Sequence, residues 1–139
     1  MDRDLCLRHG GADTARLASK LTAAIAAQDA AAVAACFADD VELRALIPPG
    51  LRERSGAVDA AALVASWFAD STELDLVDSY TGEVGDRVHV SYRFEGVEDG
   101  ELYVVEHHLY CIVDERGLIE RVDLLCSGFR PRHGGTSDS

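Results

Sequence analysis

The spacing of apolar residues changes once along this chain. Up to Phe68 they recur mainly at helical intervals; from Glu73 onward they alternate residue by residue. Leu17, Leu21, Ala24, Ile25 and Gln28 fall on one helical face, with Asp13 or Thr14 placed to cap it. Asp29 is expected to cap a second, short helix with Val33, Cys36 and Phe37 on its inner side. The intervening residues are rich in alanine, which favours helix and lets neighbouring elements approach closely. In "DDVELRAL", Val41, Leu43 and Ala45 alternate with Glu42 and Arg44, which predicts a short half-buried strand. "IPPGLRERSG" is expected to be irregular, because Pro48, Pro49, Gly50 and Gly56 punctuate it. Asp59 is expected to cap a third helix with Leu63, Val64, Trp67 and Phe68 as its buried stripe. Strands follow over 73–80, 87–94, 101–113 and 118–129, with Gly82, Gly85, Gly100 and Gly117 at turns. The pattern predicts one α+β domain over 13–130, between a loose arm at 1–12 and a disordered tail at 131–139.

The last hairpin can be divided into faces by counting. A turn over Asp114–Gly117 sets Val113 opposite Leu118. One face then holds Tyr103, Val105, His107, Leu109, Cys111, Val113, Leu118, Glu120, Val122, Leu124 and Cys126, and is polar mainly at His107 and Glu120. The other gathers Glu106, His108, Tyr110, Arg121 and Asp123. The first face is therefore expected inside, with His107 opposite Leu124 and His108 opposite Asp123. Val88, Val90, Tyr92 and Phe94 alternate in the same sense in the preceding strand. A slip of one residue at Gly117 would exchange the faces.

Composition narrows the partners. The chain of 139 residues carries a formal charge of −12, which argues against nucleic acid and anionic membranes, since phosphate contacts need clustered Lys and Arg. No run reaches the roughly 20 apolar residues of a membrane span, and residues 1–13 lack an apolar leader core. Cys6, Cys36, Cys111 and Cys126 are scattered, without metal-ligand or redox spacing. Cys111 and Cys126 are expected about 20 Å apart at strand rise, too far for a disulfide. A reduced, cytoplasmic protein without metal or cofactor is expected.

The stretches "AAIAAQDAAAVAACFADDVEL", "RSG" and "DERGLIERVDLL" resemble the SnoaL-like and ketosteroid-isomerase-like members of the nuclear transport factor 2-like superfamily. The resemblance implies a cone-shaped fold, with three N-terminal helices packed on a curved, mostly antiparallel sheet that encloses a pocket. It does not fix function, because this fold hosts isomerases, cyclases, hydrolases and binding modules. The ketosteroid isomerase roles, an aspartate base and an oxyanion pair, align with Ala45, Leu21 and Leu109, none of which can move a proton. A steroid-isomerase mechanism is disfavoured. SnoaL-like cyclases use a histidine and an aspartate on the last long strands, for which His107, His108 and Asp123 are the candidates. Arg121 and Asp123 match in type the epoxide-hydrolase set of the same fold.

The ligand pocket is expected to be walled by Trp67, Tyr92, Tyr103, Leu109, Cys111, Val122, Leu124 and Cys126. His107, a titratable group among apolar walls, is the candidate general base. Three readings stay open: a cofactor-independent acid–base enzyme acting on a hydrophobic or polyketide-like molecule, a non-catalytic carrier of such a molecule, and a dimerisation module. A homodimer is expected through the outer face at Glu106, His108, Tyr110, Arg121 and Asp123.

Overall fold

The computed structural model describes residues 14–47 and 50–131. Among these, the elements run α1 (Thr14–Ala26), α2 (Ala30–Ala34), β1 (Phe37–Ile47), β2 (Gly50–Ser55), α3 (Ala57–Ser66), β3 (Ser71–Val84), β4 (Arg87–Glu98), β5 (Glu101–Val113), β6 (Ile119–Cys126) and β7 (Arg130–Pro131). The strands form one sheet in the order β2-β1-β6-β5-β4-β3, with β7 on β5; β1 and β6 are parallel and the other neighbours antiparallel. α1 lies against β3 and β4, and α3 against β1 and β2. Leu21 and Ile25 of α1, Val33 of α2 and Val64 of α3 meet Val41, Leu43, Phe94, Val105 and Leu124 of the sheet in one core. Each such side chain contributes about 1.5–3 kcal/mol by leaving water.

Asp29 caps α2 as its position predicts, its carboxylate accepting the Ala32 N–H at 3.1 Å. Gln28, just beyond α1, stands at φ 57° and donates its side-chain amide to the Phe68 carbonyl at 2.6 Å. This ties the end of α1 to the exit of α3. Gly96 on β4 faces Tyr103 on β5, and the tyrosine ring covers the space a Cβ would fill. That close approach explains the glycine inside a strand.

Several expectations are corrected. Residues 50–55 form a strand paired with β1, because Leu46 faces Leu51 and Arg44 faces Glu53 across it; Pro48 and Pro49 lie outside the described residues. The N-cap of α3 is Gly56, and Asp59 sits inside the first turn. Gly82 lies within β3, which runs on to Val84 before the turn at Gly85. Pro131, assigned to the tail, pairs with Tyr103; residues 1–13 and 132–139 lie outside the described residues.

The final hairpin has its register displaced. His107 faces Cys126, Leu109 faces Leu124, and a bulge interrupts the ladder between Ile112 and Val113, with Glu120 unpaired and exposed. Asp114 holds this turn by accepting the Arg116 and Leu118 N–H groups at 2.8 and 3.0 Å. A shift of two residues preserves the faces, so His107, Leu109, Cys111, Val122 and Leu124 are inside as expected. Glu120 is not, and Ile119 takes the inner place instead. Cys111 and Cys126 stand four residues apart in the ladder, about 13 Å at strand rise. Cys36, Cys111 and Cys126 are free thiols.

Candidate functional site

The turn between β4 and β5 decides what meets His107. Asp99 and Gly100 both have positive φ, 54° and 79°, and form a two-residue hairpin turn between the paired residues Glu98 and Glu101. Counting back from that turn places Tyr92 opposite His107 on the inner face. Their side chains join, with Tyr92 Oη 2.9 Å from His107 Nδ1. Both are sealed from solvent, Tyr92 being 1% and His107 0% exposed.

Aromatic groups enclose the pair. Trp67 meets the imidazole edge-on at 5.4 Å between ring centroids, and Phe68 lies at 5.8 Å. Phe94 packs on Tyr92 at 5.0 Å. Phe129 covers Phe68 and Tyr103 at 5.7 and 5.2 Å, and is itself partly exposed. The Tyr103 hydroxyl pairs with Ser71 Oγ at 2.5 Å. Among the described residues, His107 Nε2 is buried without a hydrogen-bond partner.

Burial controls the charge of this pair. It lowers the His107 pKa to about 3, with positive His108 adding to the effect. It raises the Tyr92 hydroxyl well above its ordinary value, with Cys111 and Cys126 adding to it. At neutral pH both groups are therefore uncharged. Two proton arrangements satisfy the 2.9 Å contact. Either the tyrosine donates to Nδ1 and Nε2–H is left as a donor, or Nδ1–H donates to the tyrosine and Nε2 is left as an acceptor. Each presents one uncharged polar atom among aromatic walls. The buried polar side chains described are Thr14, Thr22, Ser71, Ser91 and His107, so no described carboxylate joins the imidazole inside.

Of the expected catalytic residues, His107 stands alone on the inner face. His108 and Asp123 lie on the outer face, and they are not opposite each other: His108 faces Leu125 and Asp123 faces Tyr110. The Asp123 carboxylate accepts from Arg87 at 2.6 Å. His108 Nε2 lies 2.6 Å from Glu106 Oε2, and its Nδ1 lies 2.9 Å from His89 Nε2. Of the expected pocket wall, Tyr92, Tyr103, Leu109, Cys111, Val122 and Leu124 are buried together, with Trp67 and Cys126 at the margin. Burial raises the Cys111 thiol to about 12, and it raises the Cys126 thiol too, so neither is a ready nucleophile. Among the described residues no group of three His, Cys, Asp or Glu side chains is placed to hold a metal ion. No described helix is long and apolar enough to cross a membrane.

A curved open sheet with helices on one face is the architecture of a nuclear transport factor 2-like protein. The chain belongs to the SnoaL-like domain family, which its sequence matches over residues 18–122. Among solved structures, a proposed polyketide cyclase from Xanthomonas campestris pv. campestris is similar at 23% identity and TM-score 0.66, over 81% of this chain and 89% of that one. A second proposed polyketide cyclase, from Pseudomonas putida KT2440, is similar at 22% identity and TM-score 0.65, over 83% and 91%. A steroid delta-isomerase from Pseudomonas aeruginosa shares the fold at 13% identity and TM-score 0.58, over 83% and 80%. No protein of curated function matches the sequence significantly. The positions aligned with the isomerase roles, Leu21, Ala45 and Leu109, are all buried in the core.

Proposed function

We propose that this protein binds a hydrophobic small molecule and holds it by one uncharged oxygen, a carbonyl or hydroxyl, at the Tyr92–His107 pair. The carrying observation is His107 Nε2, buried without a partner beside a tyrosine that fixes the ring. A buried polar atom without a partner costs about 1–3 kcal/mol, which a ligand oxygen would recover. Trp67, Phe68, Tyr103 and Leu109 supply walls for an apolar body. Because the pair is sealed, a ligand would have to displace side chains to reach it, and partly exposed Trp67 and Phe129 mark the thin side.

A second reading, acid–base catalysis of the cyclase or isomerase type, draws on the same neutral imidazole. As a donor, Nε2–H would polarise a carbonyl and acidify the adjacent C–H. A pKa of about 3 makes His107 a poor general base, and no described inner carboxylate replaces it. This favours the binding reading over the catalytic one. The outer face, with Glu106, His108, Tyr110, Arg121 and Asp123, we read as the contact between two copies.

A thermal-shift screen with polycyclic ketones, polyketides, terpenoid epoxides and fatty acids tests the pocket. A ligand at 100 times its dissociation constant adds about 2.7 kcal/mol, a rise of several degrees for a domain of this size. His107→Leu is expected to abolish the preference for an oxygenated ligand over its deoxygenated counterpart. An unchanged preference would overturn the assignment of the polar contact. Mass spectrometry of the recovered ligand separates binding from catalysis.

A further inference from the structure

We propose that self-association through the outer sheet face is released by acid, with the His89–His108 pair as the switch. This rests on the reading of that face as the contact between two copies, and adds what controls it. His89 on β4 and His108 on β5 stand with Nε2 and Nδ1 2.9 Å apart, and their rings stack at 5.2 Å. The other nitrogen of His108 reaches Glu106, whose carboxylate also accepts from Arg93 at 2.8 and 3.1 Å. His89 lies flat on Tyr110 at 4.7 Å and 10°, and Tyr80 of β3 meets it edge-on at 5.5 Å. These rings form a continuous aromatic patch across three strands.

The gap between the two nitrogens holds one proton. With both rings neutral, one donates and the other accepts; with one ring charged, the same bond persists with its direction fixed. With both rings charged, two N–H groups confront each other at that distance and the pair must part. The groups facing the pair are Asp78 and Tyr80 of β3, Arg87, Ser91 and Arg93 of β4, Glu106 and Tyr110 of β5, and Asp123 and Leu125 of β6. Arg87 is engaged by Asp123 and Arg93 by Glu106, and Asp78 stands opposite Arg93, four residues along β3 from the position facing His89, so none of the three acids is placed to neutralise a second imidazolium. Burial lowers the His89 pKa, and positive His108 lowers it further. Because the shift is downward, the intact array is favoured above the ordinary histidine value of about 6.5 and weakens as pH falls below it.

Charge balance argues that the occupant of this face is a second copy. The chain carries −12, yet over β1 and β4–β6 this face sets Arg44, Arg87, Arg93 and Arg121 against Glu42, Glu95, Glu106 and Asp123. The four central strands of two copies can therefore meet without mutual repulsion, while the flanking β2 and β3 add Glu53, Glu73, Asp75 and Asp78 at the margins of the face. Leu46, Leu51 and Leu125, exposed by 50%, 49% and 47%, border a groove of about 510 Å³ with Arg44, Tyr110 and Asp123, and supply the apolar contact.

Sedimentation of the full chain at pH 7.5 and 5.5, at constant ionic strength, tests both layers. The expected result is a dimer whose dissociation constant weakens at least tenfold at pH 5.5. In His89→Phe, which keeps the stack on Tyr110 but cannot be protonated, the constant should be the same at both pH values. A monomer at pH 7.5 at all concentrations would overturn the interface itself. A dimer with one constant at both pH values would leave the interface standing and overturn the switch. So would a His89→Phe protein that weakens as the wild type does, or that is monomeric at pH 7.5. Circular dichroism in the same buffers separates dissociation from unfolding, and the imidazole ¹⁵N shifts of His89 in the wild type should show it gaining a proton as the dimer dissociates. A His89 that stays neutral while the dimer dissociates would also overturn the switch.

Discussion

His107 and His108 are adjacent in sequence and opposite in circumstance. The pleat of β5 turns one inward and the other outward. His107 has one protein partner, no exposure and a pKa driven to about 3 by burial. His108 stays partly exposed, between Glu106 and His89. The inner histidine thus works as an uncharged dipole, while the outer one is a link in a hydrogen-bonded chain from His89 to Glu106. The comparison shows that residue type alone does not assign a histidine's role; desolvation decides on one face and charged neighbours decide on the other.

The two faces should first separate in truncation experiments. Phe68 is fully buried against Phe94, His107 and Phe129, so Phe68→Ala is expected to cost about 3–5 kcal/mol in urea unfolding. Leu125 is 47% exposed on the outer face, and Leu125→Ala in dilute solution should cost less than about 1 kcal/mol. Equal costs would mean that the outer face is as dry as the inner one.

Acid should separate them next. His107 is neutral in the fold down to about pH 3, whereas in the unfolded chain it charges near pH 6.5. Its lowered value means that stability is complete above that upper figure and declines as pH falls through the interval. Between pH 8 and pH 5 the loss from this residue is about 2 kcal/mol. His107→Leu should unfold with that part of the pH dependence removed. An unaltered slope would show that His107 reaches water in solution.

These contrasts also explain what the sequence could show. Helical and alternating periods located the three helices and the four long strands; the inner faces of β4, β5 and β6 are largely apolar, whereas β3 is mostly exposed and sets Ser79, Thr81 and Glu83 opposite the inner residues of β4. The face assignment of β5, and of β6 from Arg121 onward, survived an incorrect register because the error there was two residues, one full pleat period; at the bulge, Ile119 and Glu120 exchanged faces. The bulge beside Glu120 was hidden, since Asp114–Gly117 can close more than one ladder. The Tyr92–His107 contact was legible in principle: "EDGE" at 98–101 is a two-residue turn signal that fixes which residues face each other. The same count pairs His89 with Tyr110, and so places His89 next to His108. Strand β2 was obscured by Pro48, Pro49 and Gly50, whose local signals oppose a strand that tertiary pairing with β1 nevertheless supports. Phe129 comes to lie over Phe68 and Tyr103 in the break between β6 and β7, which both run antiparallel to β5, and the positive φ of Gly128 in that break is not encoded in periodicity.

The smallest expected effect gives the finest test of the outer face. Arg87 and Asp123 meet at 2.6 Å with side chains 30% and 34% exposed, and Arg121 adds a weaker contact to the same carboxylate at 3.9 Å. An ion pair this open to solvent is screened and loses side-chain entropy, so its coupling should be about 0.2–1 kcal/mol. A double-mutant cycle with Arg87→Met and Asp123→Asn measures it, and raising the salt to about 1 M should erase most of it, since the screening length then falls to about 3 Å. The cycle should be run at two protein concentrations. If a second copy covers this face, water is excluded only when the chains associate. The coupling should then grow with concentration and lose its sensitivity to salt. A coupling that is small, salt-sensitive and independent of concentration would mean that the outer face remains in water, and that the contrast between His107 and His108 is one of core against solvent alone.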